Sequence, residues 1–168
     1  MASERQSISF ARQERGPLLS SHTSGAYAPS PHQAVAYLVA TYAELVDTGD
    51  FAGLGRLLAD ARFTGSGGTV TGAAAIEQMF RATLVLYPDG TPRTHHVVSN
   101  LIVDADEQAG TATSRSYVTV FQAVEGLPLQ AVAAGRYHDR FARRDGAWRF
   151  TGRTVRIHLV GDTSHHLR

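Results

Sequence analysis

The chain is expected to fold as an α+β domain, a cone-shaped barrel in which three N-terminal helices pack on a curved, mostly antiparallel sheet. Three observations lead there. Apolar residues recur at helical spacing after residue 30, then give way to long β-patterned segments from about residue 93 onward. Short turns join those segments, and Asp145-Gly146 is the strongest hairpin signal in the chain. Helices first and a meander afterwards place the helices on one face of the sheet; strands this long must coil, which leaves a cone-shaped cavity under the helices.

Residues 1–30 are polar, rich in Ser and Arg, and broken by Gly16-Pro17, Gly25 and Pro29. They read as a flexible arm, with Ile8, Phe10, Leu18 and Leu19 available to dock on a neighbour. Ser30 is suited to cap a helix with Pro31 in its first turn, and Val35, Leu38, Tyr42 and Leu45 continue the stripe until Gly49 ends it. A short second helix follows, with Phe51, Leu54, Leu57 and Leu58 on its inner side. Ala61 to Phe63 is a brief strand and Gly65-Ser66-Gly67-Gly68 a turn. Gly72 opens a third helix through Ile76, Met79, Phe80 and Leu84, ending near Tyr87-Pro88-Asp89-Gly90. Four strands then run over about 93–103, 109–124, 128–143 and 147–159, separated by turns at Asp104 to Gln108, Glu125-Gly126 and Asp145-Gly146. The domain is expected to span 31–160, with 161–168 as a C-terminal tail.

Composition removes several kinds of chemistry. There is no cysteine, so disulfides, thiolate metal sites and thiol nucleophiles are excluded. All sixteen basic residues are arginine, which excludes a side-chain amine for Schiff-base formation. The net charge is +1 and the arginines are spread along the chain, so a nucleic-acid partner is not expected. No apolar run approaches a membrane span, and the N-terminus lacks the apolar core of a signal peptide; a cytoplasmic location is the default expectation.

The chemistry-bearing residues lie in two segments, Tyr42 to Asp50 and Thr94 to Asn100. Strand alternation puts His96, Val98 and Asn100 on one face and His95, Val97 and Ser99 on the other. Only one of the two neighbouring histidines can therefore enter the cavity, which argues against a His–His metal site. His165-His166 is expected to be an exposed, solvated pair. A histidine held by an Asp is suited to moving protons near neutral pH, because the carboxylate fixes the tautomer and stabilises the imidazolium. Asp47 and His96 are candidates for that pair. Each residue has a plainer reading: His96 half-buried on a backbone carbonyl, Asp47 a cap or turn residue, Tyr42 an aromatic core residue. Asn100, Ser116, Tyr117, Gln122 and Arg153 are candidates for the polar lining, and an arginine entering an apolar cavity needs a carboxylate.

The order and spacing of these residues resemble the SnoaL-like branch of the nuclear transport factor two-like superfamily over about residues 31–160. Scytalone dehydratase, bile-acid 7α-dehydratase and hexachlorocyclohexane dehydrochlorinase are similar in placing an Asp late in the first helix and a His on the first long strand after the third. Asp47 in Val46-Asp47-Thr48-Gly49-Asp50 and His96 in His96-Val97-Val98-Ser99-Asn100 fall on those positions. Tyr42 falls where the bile-acid dehydratases keep a catalytic Tyr. Gly135 to Phe141 with Asp145-Gly146-Ala147-Trp148-Arg149-Phe150 resembles the superfamily's last hairpin.

The resemblance implies a cofactor-independent lyase or isomerase acting on a small, hydrophobic, oxygenated molecule, with His96, Asp47 and Tyr42 as catalytic residues. Asn100, Ser116, Tyr117 and Arg153 would contact the substrate; no metal or cofactor is expected. Two departures limit the transfer. Val46 stands where scytalone dehydratase has a Tyr before its Asp, and Phe63-Thr64-Gly65-Ser66 lacks the Asp base of ketosteroid isomerase. Ring-hydroxylating dioxygenase β subunits also look similar and act mainly as scaffolds, so a non-catalytic module or a pure small-molecule binder are the alternatives. Members of this branch are often dimers or trimers, and Val97, Leu101 and Val103 are candidate interface residues.

Overall fold

A computed structural model describes residues 29–168. The arm expected over 1–30 lies, except for its last two residues, outside the described residues. The element order is α1 (Pro31–Asp47), α2 (Phe51–Leu57), β1 (Arg62–Gly65), β2 (Gly68–Thr71), α3 (Ala73–Thr83), β3 (Thr94–Asp106), β4 (Thr111–Val124), β5 (Leu127–Arg144) and β6 (Ala147–Val160). The strands form one sheet in the order β2-β1-β6-β5-β4-β3, antiparallel at every junction except the parallel pairing of β1 with β6. The fold is the α+β architecture expected, three helices on a curved, mostly antiparallel sheet.

Local chemistry explains the boundaries. Ser30 and Gln33 form a reciprocal capping box, each side chain bonded to the other's backbone N–H, with Pro31 opening the first turn of α1. Gly49 ends that helix at φ +73°, and a Cβ there would lie 2.2 Å from the Gly90 carbonyl oxygen. Only glycine fits both demands. Asp50 caps α2 through the Gly53 N–H. α3 is shorter than expected, because residues 85–93 form an irregular turn rather than further helix. The Gly65–Gly68 turn joins two strands; β2 is an addition to the expected sheet.

The core lies between the helices and the sheet. Val35, Val39, Tyr42 and Val46 of α1, Phe51 and Leu54 of α2, and Ile76 and Phe80 of α3 meet Val118, Val120, Tyr137, Phe141 and Phe150. At roughly 1.5–3 kcal/mol per fully buried large apolar side chain, this cluster dominates the favourable side of folding.

One irregularity changes which residues face inward. The register of β3 against β4 shifts between Ser99 and Ile102, with Asn100 at φ +52°. Before the bulge, His96 and Val98 point inward; after it, Leu101, Val103 and Ala105 pack on the core. Asn100 is therefore exposed rather than part of the lining, and Leu101 and Val103 face the core rather than a neighbouring molecule. Ile102 takes the outward position, 46% exposed.

Candidate active site

α1 delivers Asp47 as its last residue, and β3 presents His96 from the open edge of the sheet. The carboxylate straddles the strand. The His96 backbone N–H donates to Asp47 Oδ2 at 2.7 Å, the Thr94 hydroxyl donates to Oδ1 at 2.7 Å, and His96 Nδ1 lies 2.6 Å from the same oxygen. Asp47 thus takes up an N–H that an edge strand would otherwise leave free, and fixes the imidazole at the same time. The plainer readings of both residues give way to this contact. The His96 ring is on a carboxylate rather than a carbonyl, and Asp47 bonds across the fold rather than to its own turn.

Burial pushes the Asp47 carboxyl up, but the His96 ring, the His96 N–H and the Thr94 hydroxyl outweigh it and hold the group below the usual carboxylate range. An ionised Asp47 keeps the proton on His96 Nδ1 and leaves Nε2 as the basic nitrogen. The His96 side chain is 8% exposed. It borders a groove of about 400 Å³ between α1 and β3, lined by Ala40, Ala43, Glu44, Thr48, His95 and Val98 beside the pair itself.

The interior of the cone is occupied. Arg153, fully buried, donates from Nε and Nη2 to both oxygens of Asp139 at 2.8 and 2.7 Å. Its guanidinium lies 3.9 Å from the Tyr42 ring centre, 4.3 Å from Tyr137 and 4.8 Å from Phe150. Asp139 is the carboxylate that a buried arginine requires, and its charge and hydrogen bonds raise the Arg153 pKa against the opposing pull of burial. Tyr42 packs edge-on against Phe80 and Tyr137; burial, above all, pushes its phenol up to about 12, so it remains a protonated donor.

The remaining expected residues divide. Ser116 is buried, with its hydroxyl unpartnered. Tyr117, the next residue along the strand, is 45% exposed under the Arg136 guanidinium and does not line the interior. Gln122 is buried and donates to the Pro92 and His165 carbonyls. Thr94, absent from the expected set, was detectable: it lies two residues before His96 on the same strand face. His166 is the larger surprise, buried to 7% exposure instead of solvated, because residues 161–168 fold back onto the domain. Val85 N–H donates to His166 O, Tyr87 Oη to His165 O, and Arg168 Nε to Leu84 O. Among the described residues, no three His, Asp or Glu side chains converge to hold a metal ion, and no helix is long and apolar enough to cross a membrane.

Three helices on a curved, mostly antiparallel sheet in this order make a cystatin-like fold of the nuclear transport factor two-like class. Residues 31–154 match the SnoaL-like domain, and the chain belongs to that family. The fold is similar to a nuclear transport factor two-like protein from Novosphingobium aromaticivorans, with 27% identity, 80% of this chain and 85% of the other covered, and a TM-score of 0.63. A protein provisionally assigned as scytalone dehydratase from the same organism is similar at 21% identity, with 78% and 86% covered and a TM-score of 0.61. So is the β subunit of a provisionally assigned aromatic-ring-hydroxylating dioxygenase from that organism, at 16% identity, 79% and 93% covered, TM-score 0.60. No curated protein matches the chain significantly.

Proposed function

We propose that the chain is a cofactor-independent acid–base enzyme, a dehydratase-like lyase or an isomerase or cyclase, acting on a small hydrophobic oxygenated molecule. The observation that carries this reading is the 2.6 Å contact of His96 Nδ1 with Asp47. His96 Nε2 abstracts a proton from a carbon beside a carbonyl or phenol. Asp47 stabilises the imidazolium as it forms. Tyr42, protonated at working pH, is this reading's donor to the oxygen on which charge develops; it lies behind the groove in the packed interior, so the substrate reaches it only as that packing opens. In a dehydration, His96 returns its proton to the departing hydroxyl.

A general base of this kind contributes about a hundred- to ten-thousand-fold in rate. With activated hydroxy-ketones as trial substrates, His96→Ala is expected to fall by that order and Asp47→Asn by a comparable factor, with unfolding midpoints measured alongside. Unchanged turnover in both variants contradicts the reading.

The second reading is a non-catalytic scaffold. It is favoured by the packed interior, where Tyr42, Tyr137 and Phe150 enclose the Arg153–Asp139 pair, and by the similarity to a dioxygenase β subunit. Under either reading the chain self-associates as a dimer or trimer through the outer sheet face, where Val97, Ile102 and Tyr117 are exposed.

A further inference from the structure

The outer face of the sheet, turned away from the helices, carries a polar groove of about 280 Å³ to which neither Asp47 nor His96 contributes. Its volume is close to the lower end of small-ligand sites, which begin at roughly 300 Å³. Strand register lays out its floor. Arg140, Gly152 and Arg62 stand side by side on β5, β6 and β1. The row beside them holds Arg115, His138 and Thr154 on β4, β5 and β6. All six line the groove. Tyr117 and Val97 lie beyond it, toward the other end of β4.

Gly152 is the bare position between two arginines. A Cβ there would lie 3.8 Å from Arg140 Cβ and 3.9 Å from the Arg62 carbonyl oxygen, which is ordinary contact. Neither crowding nor a left-handed backbone demands glycine, so its effect is to leave the gap open. Neighbouring strands lie about 4.8 Å apart, which separates the two arginine Cα atoms by roughly 10 Å. Two guanidinium groups on long stems can close on one anion across that span.

The charges in the groove are unbalanced. Exposed arginines elsewhere have partners: Arg56, Arg81, Arg93 and Arg144 reach carboxylates, and Arg136 lies over the Tyr117 ring. Arg62 and Arg140 have no such partner among the described residues. Arg115 is only loosely paired, 3.8 Å from Asp104 at the β3 margin. The other carboxylate of the lining, Asp139, is already bound by the buried Arg153. Three guanidinium charges therefore face one loosely held acid, and an anion between them would relieve their mutual repulsion.

We propose that this groove is a second binding site, which takes the phosphate group of a phosphate monoester. The phosphate lies over Gly152 with Arg62 and Arg140 on either side, and Arg115 and the Thr154 hydroxyl donate from the neighbouring row. A carboxylate offers two oxygens in one plane and is met by a single arginine fork. Donors converging from both sides of a gap, with a hydroxyl beside them, suit the three terminal oxygens and near-double charge of a phosphate. The site is on the face of the sheet opposite His96, so it holds a ligand of its own rather than part of the substrate.

Phenyl phosphate and benzoate are titrated into the full chain by calorimetry at fixed ionic strength, above the second phosphate ionisation near pH 6. Phenyl phosphate is expected to bind about tenfold more tightly than benzoate. Arg62→Gln with Arg140→Gln is expected to weaken it by at least about tenfold, and so is Gly152→Leu, which fills the gap and keeps every charge. Arg149→Gln with Arg156→Gln removes the same charge from exposed positions outside the groove and is expected to change affinity by less than about twofold. His96→Ala is expected to leave it unchanged. Thermal melts establish that each variant folds. Mixed phosphatidylcholine–phosphatidic acid vesicles are tested in parallel by sedimentation. Sedimentation that the Arg62→Gln, Arg140→Gln variant loses identifies a lipid as the source of the phosphate, whereas binding of phenyl phosphate alone identifies a free monoester. Failure of both probes, equal affinity for benzoate, equal losses in the two double variants, or a loss in His96→Ala overturns the proposal.

Discussion

Two residues on the His96 side of the molecule respond to acid in different ways. Asp47 is held below the usual carboxylate range, so its contribution to stability is present above the unfolded value near 4 and is lost as pH falls through its lower folded value. His166 acts in a different window. In the unfolded chain it takes up a proton near pH 6.5, while the folded ring resists until about 4, so stability falls as pH drops between those limits. Urea unfolding of the wild type is expected to lose on the order of 1–3 kcal/mol across that interval, and His166→Asn is expected to flatten that slope and leave the lower limb intact. An identical slope in the variant would contradict the burial of the ring. The types of Asp47 and His96 were legible in the sequence because acid and imidazole sit at recognisable positions of a helix end and a strand. Their contact was not, since it depends on how α1 docks on an edge strand. The Asp139 partner of Arg153 was hidden for the same reason: it depends on β5–β6 register, which hydrophobic pattern alone does not specify.

At the level of the elements, the bulge in β3 separates what pattern reading found from what it missed. Alternation with a period of two holds from Thr94 to Ser99 and correctly directs His96 inward. One residue in a left-handed conformation at Asn100 then reverses every later assignment, and the one hint of it in Ser99-Asn100-Leu101 is the asparagine itself, which tolerates positive φ better than other non-glycine residues and is uncommon inside strands. Ser116 and Tyr117, adjacent in β4, could not both line the interior, and parity assigns it to Ser116. The α1–α2 corner is tighter than its sequence suggests. Gly49→Ala would meet both a left-handed backbone and the Gly90 carbonyl, at a cost of about 2–4 kcal/mol. Calorimetry is expected to show a melting temperature lowered by roughly 5–15 °C. An unchanged midpoint would mean that the 86–90 turn gives way freely, and that the corner does not help to hold Asp47 in place.

Across the whole molecule, the architecture followed from element order, since helices before a meander have few ways to cover a sheet. The backfolded C-terminal segment did not, because its hydrogen bonds are made by backbone groups that carry no sequence signal. The outer face of the sheet leaves Val97, Ile102 and Tyr117 in solvent, the surface through which self-association is proposed. Light scattering on the eluting protein is expected to report a dimer or trimer, and Val97→Asp with Ile102→Asp to shift it to monomer; a wild-type monomer would refute the association. The parallel pairing of β1 with β6 has a kinetic consequence. It places Arg62 beside Gly152, so the sheet cannot be completed by zipping successive hairpins. A large loop must close before that contact rewards the chain, which slows folding and exposes the half-built sheet edge to other molecules while it waits.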